Sequence, residues 1–208
     1  MADVTKGYVV VSPGSGSGNT TLSVKAKTPN QGNRVAQNQQ FSVPAPGVTP
    51  DKTFTAILKA AAEFVTFDDG GEMAVSKSGG QIIITGKSNS DKLTFSKGAG
   101  EIIPADISKV TYQANGATAT SGTAIAGDPG ATAKFNFALT LTADENETIT
   151  ERTQQIIVNT TGNKTATISL KQAAGDAYLT LNATTVEVEQ DGSASTIQVN
   201  TNTTFTVE

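Results

Sequence analysis

The sequence contains no cysteine, no histidine and no tryptophan. Without cysteine, the chain can form no disulfide and offers no thiol nucleophile or thiolate metal ligand. Without histidine, it lacks the commonest general base and the commonest metal ligand, which excludes Ser-His-Asp catalysis and zinc chemistry. Without tryptophan, its hydrophobic cores must rest on Ile, Val, Leu and Phe. We therefore expect a protein that is not an enzyme and that holds neither a metal nor a cofactor.

Basic runs and long apolar runs are also missing. The chain has 15 Lys and Arg residues against 19 Asp and Glu residues, for a formal net charge of -4. Because nucleic-acid affinity depends on clustered positive charge, nucleic acid is not an expected partner. The apolar cluster at residues 8–11 is too short for a signal peptide or a membrane span. We therefore expect no membrane association, and we expect the chain to be made in a cytosol and to stay there.

The sequence contains an internal repeat. Residues 164–181, KTATISLKQAAGDAYLTL, repeat the pattern of residues 52–67, KTFTAILKAAAEFVTF. In both copies Lys-Thr opens a strand, Leu-Lys closes it, and small residues lead into a second strand. Asn89 and Asn202 follow the two copies at equivalent places. The interval between these two asparagines is therefore one period, and it is about the size of one sandwich domain.

This repeat predicts three parts of the chain. Residues 1–63, the N-terminal module, hold the back half of a repeat, read as four strands, and residues 64–175 form one complete sandwich. Residues 176–208, the C-terminal segment, hold the first strands of a further domain, with apolar side chains exposed on one face. We expect the natural protein to be longer than this chain. The alternative is that residues 178–208 complete residues 8–63 of a neighbouring subunit.

Strand and turn signals follow one another at short intervals through the complete sandwich. Residues 134–143 alternate perfectly, which predicts that Phe135, Phe137, Leu139 and Leu141 face one core. Asn-Gly at 115–116 predicts a tight hairpin, and we also read Asp-Asp-Gly-Gly at 68–71 as a hairpin turn. The sequence therefore predicts an all-β protein made of tandem immunoglobulin-like antiparallel β-sandwich modules.

Two segments resemble a known family. Residues 178–207 carry an aromatic-Leu-Thr-Leu strand, a Val-x-Val strand, a glycine turn, a Thr-Ile-x-Val strand and an Asn. This pattern resembles the start of a BACON domain, an immunoglobulin-like sandwich common in Bacteroidetes proteins, and residues 152–172 are similar to the end of one. The resemblance implies carbohydrate binding. However, where such domains usually carry Trp, this chain has Phe205 and, in the complete sandwich, Leu93, whereas sugar sites usually use a broad aromatic face.

Few residues qualify as a binding site. Tyr8 and Tyr112 are the candidate glycan contacts. Carboxylates cluster around two turns and could in principle hold calcium or act as a glycosidase pair. Their spacing matches no calcium loop, and we interpret them as turn-forming and solubilising residues. The two clusters are Asp68, Asp69 and Glu72, and Asp144, Glu145 and Glu147.

The function we predict is structural. The repeat pattern resembles head proteins of crAss-like phages, which implies a capsid decoration or head-fibre protein on the capsid surface, assembled in the host cytoplasm. Residues 1–63 would attach to capsid proteins of the same virion, residues 64–208 would project outward, and dimers or trimers would form. Weak adhesion to host or mucus glycans would follow from multivalency. The alternatives are a Bacteroidetes cell-surface glycan-binding protein or a non-catalytic appendage of a glycoside hydrolase.

Overall fold

A computed structural model describes residues 2–208 and consists of β-sheets joined by turns and loops. Two sheets belong to the N-terminal module, two to the complete sandwich and one to the C-terminal segment. Residues 2–208 include no helix with the length and apolar composition needed to cross a membrane. The predicted all-β class, with an antiparallel β-sandwich, is confirmed.

The N-terminal module holds five strands rather than the predicted four. A three-stranded sheet contains β1 (Val4–Lys6), β2 (Val9–Ser12) and β3 (Ser23–Ala26), and a hairpin contains β4 (Gln37–Val43) and β5 (Lys52–Leu58). Its core consists of three buried residues, which are Val9, Val11 and Phe41. Phe54 stacks on Phe41 with ring centroids 5.1 Å apart. The additional strand, β1, pairs with the edge of β2.

The complete sandwich is built from a five-stranded and a four-stranded sheet. The five-stranded sheet has the order β11-β10-β12-β8-β6 and the four-stranded sheet the order β7-β14-β13-β9. The first comprises β6 (Val65–Phe67), β8 (Gly80–Ser88), β10 (Thr111–Ala114), β11 (Ala117–Thr120) and β12 (Phe135–Ala143). The second comprises β7 (Glu72–Val75), β9 (Leu93–Gly100), β13 (Arg152–Thr160) and β14 (Thr165–Gln172). A short 3₁₀ turn, Pro129–Ala131, precedes β12.

The main core lies between these two sheets. The four side chains predicted to share one face of β12 are all buried there. The neighbouring strand β8 adds Ile82 and Ile84, and the opposite sheet adds Ile156, Val158, Ile168 and Leu170. Burial of alternate residues on both sheets is what a two-layer sandwich requires.

The turns of the complete sandwich correct one prediction and confirm another. Residues 68–71 do not close a hairpin, because β6 pairs with β8 in one sheet and β7 pairs with β14 in the other. The turn therefore carries the chain across the sandwich. The β7–β14 pair is also parallel, in an otherwise antiparallel fold. Asn115 and Gly116 do form the predicted tight hairpin between β10 and β11, with positive φ angles of 51° and 80°.

The C-terminal segment forms a two-stranded sheet of β15 (Leu179–Leu181) and β16 (Val199–Thr201). Its apolar side chains are exposed, as the sequence predicts for two or three isolated strands. The exposed residues include Leu181, Val186, Val188, Ile197 and Phe205.

Candidate functional site

Tyr8 lies immediately before β2 and packs against the small core of the N-terminal module. Its hydroxyl is shielded from solvent without a hydrogen-bond partner among the described residues, and burial raises its pKa. The ring itself remains partly exposed. A glycan contact through Tyr8 therefore stays a prediction, and the contact would be made by the ring rather than by the hydroxyl.

The prediction that Tyr112 contacts a glycan is wrong, because its side chain belongs to the core. Tyr112 is 2% exposed and lies on β10 opposite the buried Leu139 of β12. The edge of its ring meets Phe95 at a centroid distance of 5.0 Å. Burial raises the pKa of Tyr112 to about 12. The sequence pattern does not determine on which face of β10 the Tyr112 side chain lies, since this strand is only four residues long.

The first acidic cluster is engaged with lysines on neighbouring strands. Asp68 accepts a hydrogen bond from Lys87 at 2.9 Å, and this interaction lowers the pKa of Asp68. Glu72 pairs with Lys171 of β14 at 2.8 Å. In the described part of the chain, no three carboxylates come close enough together to hold a metal ion. Asp68 and Glu72 therefore form cross-strand ion pairs.

A cavity of about 340 Å³ opens near the start of β13. Gln154 lines the cavity and makes three hydrogen bonds: its Oε1 accepts the backbone N–H groups of Ile102 and Ile103, and its Nε2 donates to the Gly100 carbonyl. Lys97 donates to the Ile103 carbonyl, whereas the Nε of Arg152 is buried without a hydrogen-bond partner among the described residues. Gln154 and Lys97 therefore hold loop 100–104 in place.

Hydrogen bonds join the N-terminal module to the complete sandwich, and the complete sandwich to the C-terminal segment. We call the first of these connections the first junction: loop 30–34 of the N-terminal module, the linker at 59–64, and Asn89 at the end of β8. Asn89 is fully buried, and its Oδ1 accepts the backbone N–H of Phe64 at 2.9 Å. Its Nδ2 donates to the carbonyls of Gly32 and Ala62, each at 3.0 Å. One amide side chain therefore ties two modules and their linker together.

The second junction joins loop 146–150, the linker at 173–178, and Asn202 after β16. The Oδ1 atom of Asn202 accepts the backbone N–H of Tyr178 at 3.1 Å. Its Nδ2 donates to the carbonyls of Glu147 and Asp176, each at 2.8 Å. Each partner has its counterpart in the first junction, so the same three hydrogen bonds recur one repeat later.

A second asparagine supports each junction from the preceding module. Asn30 donates from Nδ2 to the Lys59 carbonyl at 2.9 Å, and Asn146 donates likewise to the Ala173 carbonyl at 2.9 Å. Each Oδ1 also accepts a backbone N–H two residues further along its own loop. The two loops therefore enter their junctions with the same pattern of hydrogen bonds, although their sequences differ.

The first junction carries additional contacts around Arg34. Its Nη2 donates to both carboxylate oxygens of Asp128 at 2.6 Å, and its Nε donates to the Asn89 carbonyl at 3.0 Å. The hydrogen bond with Asp128 raises the pKa of Arg34. Gly130 accepts the backbone N–H of Arg34, and a Cβ atom at Gly130 would overlap the Asn89 carbonyl. Glycine at this position therefore lets the 3₁₀ turn lie directly against Asn89 within the complete sandwich.

Only part of the two junctions is visible in the sequence. The equivalent places of Asn89 and Asn202 within the repeat are visible, but their role is not. Asn30 and Asn146 do not stand out as a pair, because the interval between them differs from the interval between Asn89 and Asn202. Arg34 gives no local signal, because its partner Asp128 lies 94 residues away.

Comparisons with known proteins add little. No protein-family model matches the chain, and neither does any curated protein. A Bacteroides ovatus GH5 xyloglucanase in complex with a XXXG heptasaccharide is similar over 55% of this chain and 20% of its own, at 14% identity and a TM-score of 0.33. A protein from Bacteroides thetaiotaomicron covers 51% of this chain and 78% of its own, at 17% identity and a TM-score of 0.26.

A third similar structure, mouse clustered PcdhgC3 EC1-3, covers 71% of this chain and 45% of its own, at 12% identity and a TM-score of 0.35. The chain thus spans a fifth of the xyloglucanase and less than half of the mouse protein. Similarities at this level assign no activity, ligand or partner.

Proposed function

We propose that this chain is a non-enzymatic structural protein of a virion, a capsid decoration or head fibre built as a stalk of sandwich modules. The single observation that supports a stalk is the recurrence of the same asparagine-centred hydrogen bonds at both junctions. At the first junction the amide of Asn89 is fully buried, so leaving any of its hydrogen-bonding groups unpaired would be costly. Equivalent junctions therefore set successive modules at a constant relative orientation.

The virion setting rests on the resemblance of the repeat to head proteins of crAss-like phages. In this setting the N-terminal module attaches to the capsid, and the rest of the chain projects outward. The reason for placing the attachment there is the incompleteness of the module. It buries three apolar residues, and within residues 2–208 its strands β3, β4 and β5 each pair with one strand only. Unpaired edges of this kind are sites where another chain adds.

The experiment is mass spectrometry of purified virions together with cryo-electron microscopy of the same particles. We expect the protein among the virion components and elongated density on the capsid, with the N-terminal module nearest the shell. Recovery of the protein only in the outer-membrane fraction of the host would contradict the proposal and favour a cell-surface protein instead.

A further inference from the structure

At one end of the complete sandwich, polar side chains continue the core-facing rows of two strands. On β13 this row contains Val158 and Ile156, which are fully buried. The same alternation continues with Gln154 and then Arg152. On the neighbouring strand β9, Lys97 lies opposite Ile156. Because alternate residues of a strand share one face, two cationic side chains stand at core-facing positions at this end.

The guanidinium of Arg152 is only partly satisfied at this position. Its Nη2 donates to Oε1 of the buried Gln172 at 2.7 Å and to the Glu145 carbonyl at 2.8 Å. Its Nε is shielded from solvent and has no hydrogen-bond partner among the described residues. A charged group that leaves water needs partners, and an unpaired donor is costly. Core-facing positions that break the apolar pattern at such a cost are expected at functional sites.

A β-bulge lies beside the cavity at this end of the sandwich. The register between β13 and β9 shifts near the start of β13, and β9 ends at Gly100, whose φ angle is 107°. Bulges bend a strand, re-aim its side chains and are frequent next to active sites. Loop 100–104 follows, and its residues Ile102 and Ile103 are buried. One wall of the cavity is therefore anchored in the core.

The ammonium group of Lys97 is held at the cavity with capacity to spare. It donates to the Ile103 carbonyl at 3.0 Å and to the Pro104 carbonyl at 3.4 Å. A lysine ammonium carries three N–H donors, so one remains for a ligand. Its position is fixed by the same loop that Gln154 holds in place. The two cations therefore line a cavity whose wall is already in place before any ligand binds.

The other charged groups that line the cavity are the carboxylates of Glu101 and Asp144. Both residues are exposed, so water and salt screen their charges. Against them stand the two cations Lys97 and Arg152, and the formal charges of the lining sum to zero. A ligand with a single negative charge suits this balance better than a dianion does. The two carboxylates also offer acceptors to hydrogen-bond donors on the ligand.

We propose that this cavity binds a small organic acid that carries one carboxylate and several hydroxyl groups. The carboxylate accepts charge-assisted hydrogen bonds from Arg152 and Lys97, and the hydroxyl groups donate to Glu101 and Asp144. The volume of about 340 Å³ is at the lower end of the range for small-molecule sites. Because the Arg152 Nε is shielded in this conformation, the side chain shifts towards the ligand on binding.

The site lies within the complete sandwich, so the proposal is independent of the virion setting and of the stalk. Its test is titration of the full chain with sodium gluconate, followed by NMR of the arginine Nε–H groups. The chain has two arginines, Arg34 and Arg152, and Arg34→Lys assigns their signals by removing one of them. We expect the Arg152 signal to shift and saturate with a Kd below about 1 mM.

The controls use the chain's own second arginine and a second lysine. The Arg34 signal should not move, because its Nε is already paired with the Asn89 carbonyl. Lys97→Gln should weaken gluconate binding by about tenfold, since it removes a charged donor. Lys109→Gln makes the same change of charge at an exposed position outside the cavity lining and should leave the affinity unchanged.

Two further probes separate the parts of the ligand. Hexanoate has the chain length of gluconate without its hydroxyl groups and should bind about tenfold more weakly. Sodium chloride at equal ionic strength should not shift the Arg152 signal. A shift that rises linearly without saturation, or equal affinities in the two lysine variants, would overturn the proposal. Equal binding of hexanoate and gluconate, or tighter binding of inorganic phosphate, would overturn the assignment of a hydroxylated carboxylate.

Discussion

At the scale of single residues, the asparagines at the junctions are the groups on which the serial arrangement depends. Asn89 is well suited to its position because one amide can accept from one backbone N–H and donate to two carbonyls. An aspartate of the same size keeps the acceptor and loses both donors. It also places negative charge against two carbonyl oxygens.

The first prediction follows from these donors and acceptors of the Asn89 amide. Asn89→Asp should lower the free energy of unfolding of the complete sandwich by about 2–4 kcal/mol, because a carboxylate at this fully buried position carries a charge and loses both donors. Denaturant unfolding would measure it. The matched control is Asn115→Asp in the exposed turn between β10 and β11, where aspartate tolerates the positive φ angle. A loss at Asn89 no greater than at Asn115 would contradict the role assigned to the buried amide.

Tyr112 gives a prediction for alkaline pH. The pKa of an unperturbed tyrosine is 10.0, and that of Tyr112 in the fold is about 12. Between these pH values the unfolded chain loses the proton and the folded chain keeps it, so stability falls as the pH rises. The full difference is about 2–3 kcal/mol. We expect Tyr112→Phe to remove the part of this loss that Tyr112 causes between pH 10 and 12, and to be at least as stable at pH 7, since the substitution removes a hydroxyl that is shielded from solvent. A wild-type alkaline transition in this variant would refute the assignment.

At the scale of strands and turns, the sequence predicts what local patterns determine. The alternation at 134–143 indicates the inward face of β12, and Asn-Gly at 115–116 indicates a hairpin, because each signal acts within a few residues. The hairpin prediction at 68–71 is wrong, because a turn signal does not specify which strands pair after it. The parallel pairing of β7 with β14 joins residues that lie far apart in the sequence.

Each junction joins an asparagine, whose place in the repeat is visible in the sequence, to a loop of the preceding module, whose role is not visible there. Asn89 and Asn202 occupy equal places in the repeat, so the sequence marks them as equivalent. Their carbonyl partners Gly32 and Glu147 lie on loops of the preceding module, 57 and 55 residues away in the sequence. Which loop meets which asparagine depends on packing between modules, and periodicity does not encode it.

A prediction at this scale concerns the rigidity of the first junction. Arg34→Ala removes the paired hydrogen bonds to Asp128, so the N-terminal module should become free to reorient, while the complete sandwich loses less than about 1 kcal/mol of stability. Spin labels at Lys52→Cys and Lys109→Cys should report a broader distance distribution. The control is Lys77→Ala, whose exposed ion pair at the second junction contributes little. An unchanged distribution in the Arg34 variant would mean that the remaining contacts suffice.

At the scale of the whole molecule, the chain exposes far more surface than a compact protein. Its accessible surface is 12997 Å², whereas a compact protein of 21.3 kDa exposes about 9,100 Å². The excess comes from modules placed in series and from exposed apolar side chains in the N-terminal module and the C-terminal segment. An extended arrangement of this kind is what the proposed stalk requires.

The most direct test of the central claim, that the modules stand in series at fixed junctions, is small-angle X-ray scattering. The chain should be measured at low concentration, so that single chains scatter. Three units of about 30 Å in a line give a radius of gyration of roughly 25 Å, against about 17 Å for a single compact domain of this length. We expect a radius of about 25 Å that stays constant with temperature below unfolding, whereas a radius of about 17 Å would contradict the serial arrangement.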